Sequence, residues 1–110
     1  NLRTEFDVPL ASCVLNREIA LAAFPGEFFV EFQQSLRSRS PLRETFFLGY
    51  TNGYFGYFPT IRAAAAGGYG AADFSVWLEP GAGERLIDQA LIQIYRALGR
   101  LKDQPVVAGD

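Results

Sequence analysis

At 110 residues, with 49% apolar and 20% charged residues, the chain has the length of one domain and a globular composition, which excludes a disordered segment. Its ten Lys and Arg are scattered and outnumbered by twelve Asp and Glu, so the basic face of a nucleic-acid binder is not expected. No apolar run approaches the roughly 18 residues of a membrane-spanning helix, and no signal peptide is visible at the start.

The chain begins at Asn1 and reads as a processed product or an excised piece. The alternation of Phe6, Val8 and Leu10 with Asp7, Pro9 and Ala11 predicts a strand over residues 6–14, with Pro9 leaving one edge unpaired. Cys13, the one cysteine, excludes an internal disulfide and is expected to be a small buried hydrophobe. Leu15-Asn16-Arg17-Glu18 reads as a turn, and the apolar run Ile19 to Phe24 as a strand covered on both faces, the two strands forming a hairpin. Pro25-Gly26 then breaks the strand, and Glu27 is expected to open a helix in which Phe28, Phe29, Phe32 and Leu36 recur at helical spacing up to Ser40-Pro41. A carboxylate at such a junction is a candidate ligand group, although Glu also suits a helix start by complementing the macrodipole.

Glu44 to Tyr50 is aromatic and reads as a strand, with Asn52-Gly53 predicting a hairpin into a second aromatic strand through Tyr54, Phe55, Tyr57 and Phe58. Ile61 to Ala66 has the composition of a short helix closed by Gly67-Gly68, and Tyr69 stands between two glycines. Asp73 to Leu78 alternates as another strand would. The clearest element runs from Glu84 to about Leu101, where Leu86, Ile87, Ala90, Leu91, Ile94, Tyr95, Leu98 and Leu101 form one apolar stripe that requires a sheet beneath it. The end of the chain, residues 103–110, reads as a frayed tail. The elements together predict a single α+β domain or domain fragment, with a small mixed or antiparallel sheet packed by two main helices.

The chain has no histidine, the commonest general base and zinc ligand, so it cannot build a usual hydrolase site unaided. The glycine-rich turns lack the Lys-Ser/Thr ending of a phosphate loop, and no serine has the base it would need as a nucleophile.

Pro25-Gly26-Glu27-Phe28, then Asn52-x-Tyr54-x-x-Tyr57-Phe58-x-Thr60, then Gly68-Tyr69, with Gly81-Ala82-Gly83-Glu84 before the last helix, resemble the end of the catalytic domain of the neutral/alkaline ceramidases. The resemblance extends from about Ile19 to Leu101, and Tyr69 follows Tyr57 by twelve residues, the offset of two active-site tyrosines in that family. It implies a zinc amidase that splits N-acylsphingosine into a fatty acid and sphingosine, with zinc held by two histidines, a glutamate and a tyrosine. Glu27 falls on the glutamate ligand and Tyr57 on the tyrosine ligand, while Tyr69 falls on the tyrosine that faces the amide carbonyl. The family's histidines come from earlier in its domain. This chain would then be a C-terminal piece, expected to be inactive and a poor zinc binder alone, with the upstream part of the domain as its partner and a lipid amide as substrate. Gly70 replaces the family's glutamate and Phe58-Pro59 an aliphatic-threonine pair, which suggests a bacterial ceramidase-like branch whose substrate need not be ceramide. A secreted or membrane-surface location is implied by the resemblance alone. The alternative is a non-catalytic α+β module for assembly or surface binding. A piece excised from a larger domain would expose sheet edges and apolar surface normally covered by the missing part, and self-association is then expected.

Overall fold

The computed structural model describes residues 6–102. It contains eight elements: β1 (Ala11–Leu15), β2 (Ile19–Ala23), β3 (Glu27–Phe28), α1 (Val30–Arg39), β4 (Glu44–Leu48), β5 (Tyr57–Phe58), α2 (Ile61–Ala66) and α3 (Ala82–Ala97). The fold is α+β, with a three-stranded mixed sheet in the order β1-β2-β4 and a two-stranded ribbon of β3 and β5.

β1 and β2 form the expected hairpin, Leu15 opposite Ile19. Asn16 and Arg17 both have positive φ (51° and 58°), as a right-twisting hairpin turn requires, and the Glu18 N–H closes it on the Leu15 carbonyl at 2.9 Å. β4 lies parallel to β2, Ala20 beside Thr45 and Ala22 beside Phe47, which obliges the chain to cross over, and α1 makes that crossing.

One face of this sheet carries Ser12, Val14, Ala20, Ala22, Thr45 and Phe47. Both long helices pack there. Ala20 and Ala22 are fully buried, and their small side chains let Phe32 and Leu36 of α1 and Ile87, Ala90, Leu91 and Ile94 of α3 close over the strands. Ser12 donates to Gln93 Oε1 at 2.6 Å, tying β1 to α3, and the buried Thr45 hydroxyl donates to the Leu42 carbonyl at 2.6 Å. The other face carries Ala11, Cys13, Leu15, Ile19, Leu21, Ala23, Phe46 and Leu48, with Glu44 its sole charged position. Leu15, Phe46 and Leu48 remain 42–48% exposed. β2 is therefore covered by helices on one face rather than on both, and Cys13 is exposed rather than buried because its outward position has no helix over it.

Five further expectations are corrected. β1 starts only at Ala11, not at Phe6. Glu27 lies in a strand, not at a helix start: its N–H is taken by the Gly56 carbonyl at 3.0 Å, and α1 begins at Val30 after Phe29. Asn52-Gly53 does not close a hairpin, because β4 is committed to β2 and the following loop bonds the Phe24–Gly26 bend instead, through Tyr50 N–H to the Gly26 carbonyl (3.1 Å), Thr51 N–H to the Phe24 carbonyl (3.0 Å) and Phe55 N–H to the Pro25 carbonyl (2.8 Å). The segment from Asp73 to Leu78 is a turn with a single bridge, Val76 to Gly56, since the Asp73 carboxylate captures the Ser75 and Gly70 N–H groups (3.0 and 3.2 Å) and folds the backbone locally. α3 stops before Leu101 in a Schellman arrangement, with Gly99 N–H on the Arg96 carbonyl and Arg100 N–H on the Tyr95 carbonyl, both at 2.9 Å. The expected tail at 103–110 lies outside the described residues. Among the described residues no helix is long and apolar enough to cross a membrane.

Candidate functional site

The site is built on the β3–β5 ribbon. These two strands run parallel with Glu27 beside Tyr57 and Phe28 beside Phe58. Alternation sends the two pairs to opposite sides. Phe28 and Phe58 stack at 4.2 Å between ring centroids, and Phe24 and Phe47 continue the aromatic core behind them, so the Glu27 and Tyr57 side chains emerge together on the other side. Gly26 makes this approach possible: a Cβ there would stand 2.6 Å from both the Gly56 carbonyl and the Phe58 ring. Pro25-Gly26 is thus a close-contact bend before the ribbon, and the acid that follows is held by strand pairing.

Tyr69 reaches the same place from the loop after α2. Its ring meets that of Tyr57 edge-on, 5.5 Å between centroids at 75°, and is itself 74% exposed. Gly70 has φ +74°, and a Cβ at that position would lie 2.8 Å from the Tyr57 ring. A side chain at this position would press on Tyr57, in a backbone conformation that favours glycine. Asp73 fixes the loop, accepting from the Ser75 hydroxyl as well as from the two backbone groups, and these bonds, the Ser75 hydroxyl first, lower its pKa. Glu27, Tyr57 and Tyr69 are thus brought onto one surface.

Two residues that the sequence offers no site role belong to this cluster. Tyr50 donates its hydroxyl to Glu27 Oε1, and Tyr54 donates to Glu27 Oε2 at 2.5 Å. Their rings lie nearly parallel, 6.1 Å apart, and Trp77 meets Tyr54 edge-on at 5.6 Å. Tyr50 adopts φ +53° and Asn52 φ +66°, a backbone that L residues rarely take and that turns both phenols back over the carboxylate. The Asn-Gly pair announces a tight turn, but nothing in residue type announces the left-handed Tyr50.

The electrostatics follow from these bonds. Donation from Tyr50 and then Tyr54 favours the charged carboxylate and lowers the Glu27 pKa. In return Glu27 raises the Tyr50 pKa and pushes Tyr54 up to about 12. Tyr57 is raised as well, by the Tyr69 side chain first, then desolvation, then Glu27. The cluster is thus centred on a carboxylate that accepts from the hydroxyls of Tyr50 and Tyr54.

No group of three or more His, Cys, Asp and Glu is gathered around a point among the described residues, so a cation here would meet oxygen donors from Glu27 and the tyrosines only. A cation placed between Glu27 and Tyr57 would meet one carboxylate and a phenol that the Tyr69 side chain and desolvation hold in its protonated form. The remaining donors would have to come from outside these residues.

The Gly81-Ala82-Gly83-Glu84 segment does a different job. Glu84 Oε2 accepts the Ile61 N–H at 2.8 Å, holding the start of α2 against α3. A cavity of about 460 Å³ between α1 and α3, lined by Phe32, Ser35, Thr60, Glu84 and Ile87 among others, shares no residue with the tyrosine cluster. Comparison of the chain with family models, with curated proteins and with solved structures finds no match.

Proposed function

We propose that this chain is the C-terminal portion of a zinc-dependent amide hydrolase resembling neutral ceramidase, cleaving an N-acylated long-chain base into a fatty acid and an amine, and inactive without the upstream part of its catalytic domain. What supports this reading is the register of β3 and β5, which sets the Glu27 carboxylate beside the Tyr57 phenol, with Tyr69 against Tyr57. These are three residues of the right chemistry, drawn from three separate segments. The uncovered apolar sheet face supports the second half of the proposal, because Leu15, Leu21, Phe46 and Leu48 are what a further layer of the same domain would bury.

In this reading Glu27 and Tyr57 hold the metal, and histidines of the upstream part complete its ligands. Zinc, when bound, would polarise the amide carbonyl and make water nucleophilic near neutral pH. Tyr57 contributes its phenol oxygen and, through its ring, positions Tyr69. The Tyr69 hydroxyl donates a hydrogen bond to the carbonyl oxygen as negative charge develops on it in the tetrahedral transition state. Its exposure leaves it open to a bound substrate. Phe74 and Trp77, 90% and 49% exposed on the neighbouring loop, give an apolar rim suited to the hydrocarbon part of a lipid amide.

The test is hydrolysis of N-acylsphingosine by the intact protein. Glu27→Ala should be inactive, and Tyr69→Phe should lose roughly 10² to 10³ in turnover with little change in KM, as for removal of an oxyanion donor. Full turnover in Tyr69→Phe would remove it from the chemistry.

A further inference from the structure

We propose that the tyrosine cluster is a binding site for a methylated ammonium group, the chemistry of choline, held against aromatic faces and balanced by the Glu27 carboxylate. It needs no metal and does not rest on the zinc reading, although both draw on the same carboxylate.

Two right-angled pairs of rings flank that carboxylate. Tyr54 and Trp77 meet at 88° with 5.6 Å between centroids, and Tyr57 and Tyr69 at 75° with 5.5 Å. Glu27 joins the pairs, since it accepts from the Tyr54 hydroxyl and lies beside Tyr57 in the ribbon. Tyr50 adds a second donor at Oε1. Tyr50, Tyr54, Tyr69 and Trp77 stay 43–74% exposed, so burial within the chain does not account for their gathering, and an exposed aromatic surface of this kind marks a place of binding.

The π face of each ring is negative and attracts a cation lying over it, and a right-angled pair can offer two such faces to one group. Among the described residues no Lys or Arg pairs with Glu27, so its charge is left for a ligand. Each oxygen that accepts one phenol keeps a further lone pair to face that ligand. An ammonium with N–H groups needs an acceptor for each of them. A methylated one needs none and presents its charge through methyl groups, which suits ring faces better than lone pairs.

The experiment is calorimetric titration of the intact protein, with EDTA present so that no metal competes for Glu27, by choline and by dimethylbutanol, its uncharged isostere with carbon in place of nitrogen. Choline should bind about 10-fold tighter than the isostere. Trp77→Leu and Glu27→Gln should each weaken choline by roughly 5-fold or more, with thermal melting to check that both are folded. Pelleting with vesicles of phosphatidylcholine but not of phosphatidylglycerol would assign the group to a lipid headgroup, and choline binding without pelleting would assign it to a free ligand. Choline that binds no tighter than the isostere overturns the proposal, and that comparison needs no variant. Full choline affinity in either folded variant overturns it as well. Zinc content of the intact protein is measured separately, so either reading can fail alone.

Discussion

Glu27 accepts a phenol hydroxyl at each of its two oxygens, and that arrangement makes the cluster sensitive to pH at both ends of the scale. Its pKa is lowered from 4.5, so the stability its charged form contributes is present above about 4.5 and is lost as pH falls through the lower folded value. Tyr54 is raised from 10.0 to about 12, so its contribution is complete below 10 and disappears as pH rises toward 12. Urea midpoints measured near neutrality and again between these two alkaline values should therefore fall with pH in the unaltered protein and fall less in Tyr54→Phe; equal falls would mean that the hydroxyl is not held by Glu27. From the sequence, Glu27 stands out by its place after the Pro25-Gly26 bend, whereas Tyr57 and Tyr69 stand out only through the resemblance. Tyr50 and Tyr54 read from the sequence only as parts of aromatic strands. A hydroxyl bond made by a loop that turns back through a left-handed residue leaves no periodicity to read.

The ribbon of β3 and β5 is the element on which the site depends, and two residues per strand give it little stability of its own. Its approach is set by Gly26. In Gly26→Ala the new methyl would meet the Gly56 carbonyl and the Phe58 ring at 2.6 Å, which should destabilise the fold by on the order of 1–3 kcal/mol, read as a lower urea midpoint, with loss of the Glu27–Tyr57 pairing. Wild-type stability in that variant would show that the ribbon can separate freely. The two long helices, the first hairpin and the strand through Phe46 were legible because periodicity and turn residues agreed there. The short strand at Glu27 was read as a helix start because strand pairing over two residues has no local signature. Asp73 to Leu78 alternated like a strand, yet a single side chain at Asp73 supplied better partners for the backbone than a sheet edge would have.

At the scale of the molecule, α1 and α3 cover one face of the three-stranded sheet and leave the other apolar. That asymmetry underlies the proposal that a further part of the domain packs there, and Cys13, on the outward face, reports on it. Its thiol should react with a disulfide reagent at the rate of a free thiol in this 110-residue chain and be strongly protected in the intact protein; equal rates would mean that the face is open in both. Alternation within each strand showed which residues share a face, but not which face the helices would choose, since both are apolar. The central claim is that Glu27 is a zinc ligand in the intact protein, and metal analysis of the purified protein tests it most directly. About one zinc per chain in the unaltered protein, falling to a trace in Glu27→Ala with the fold intact, is the result the account predicts. Zinc retained in full by folded Glu27→Ala would contradict it.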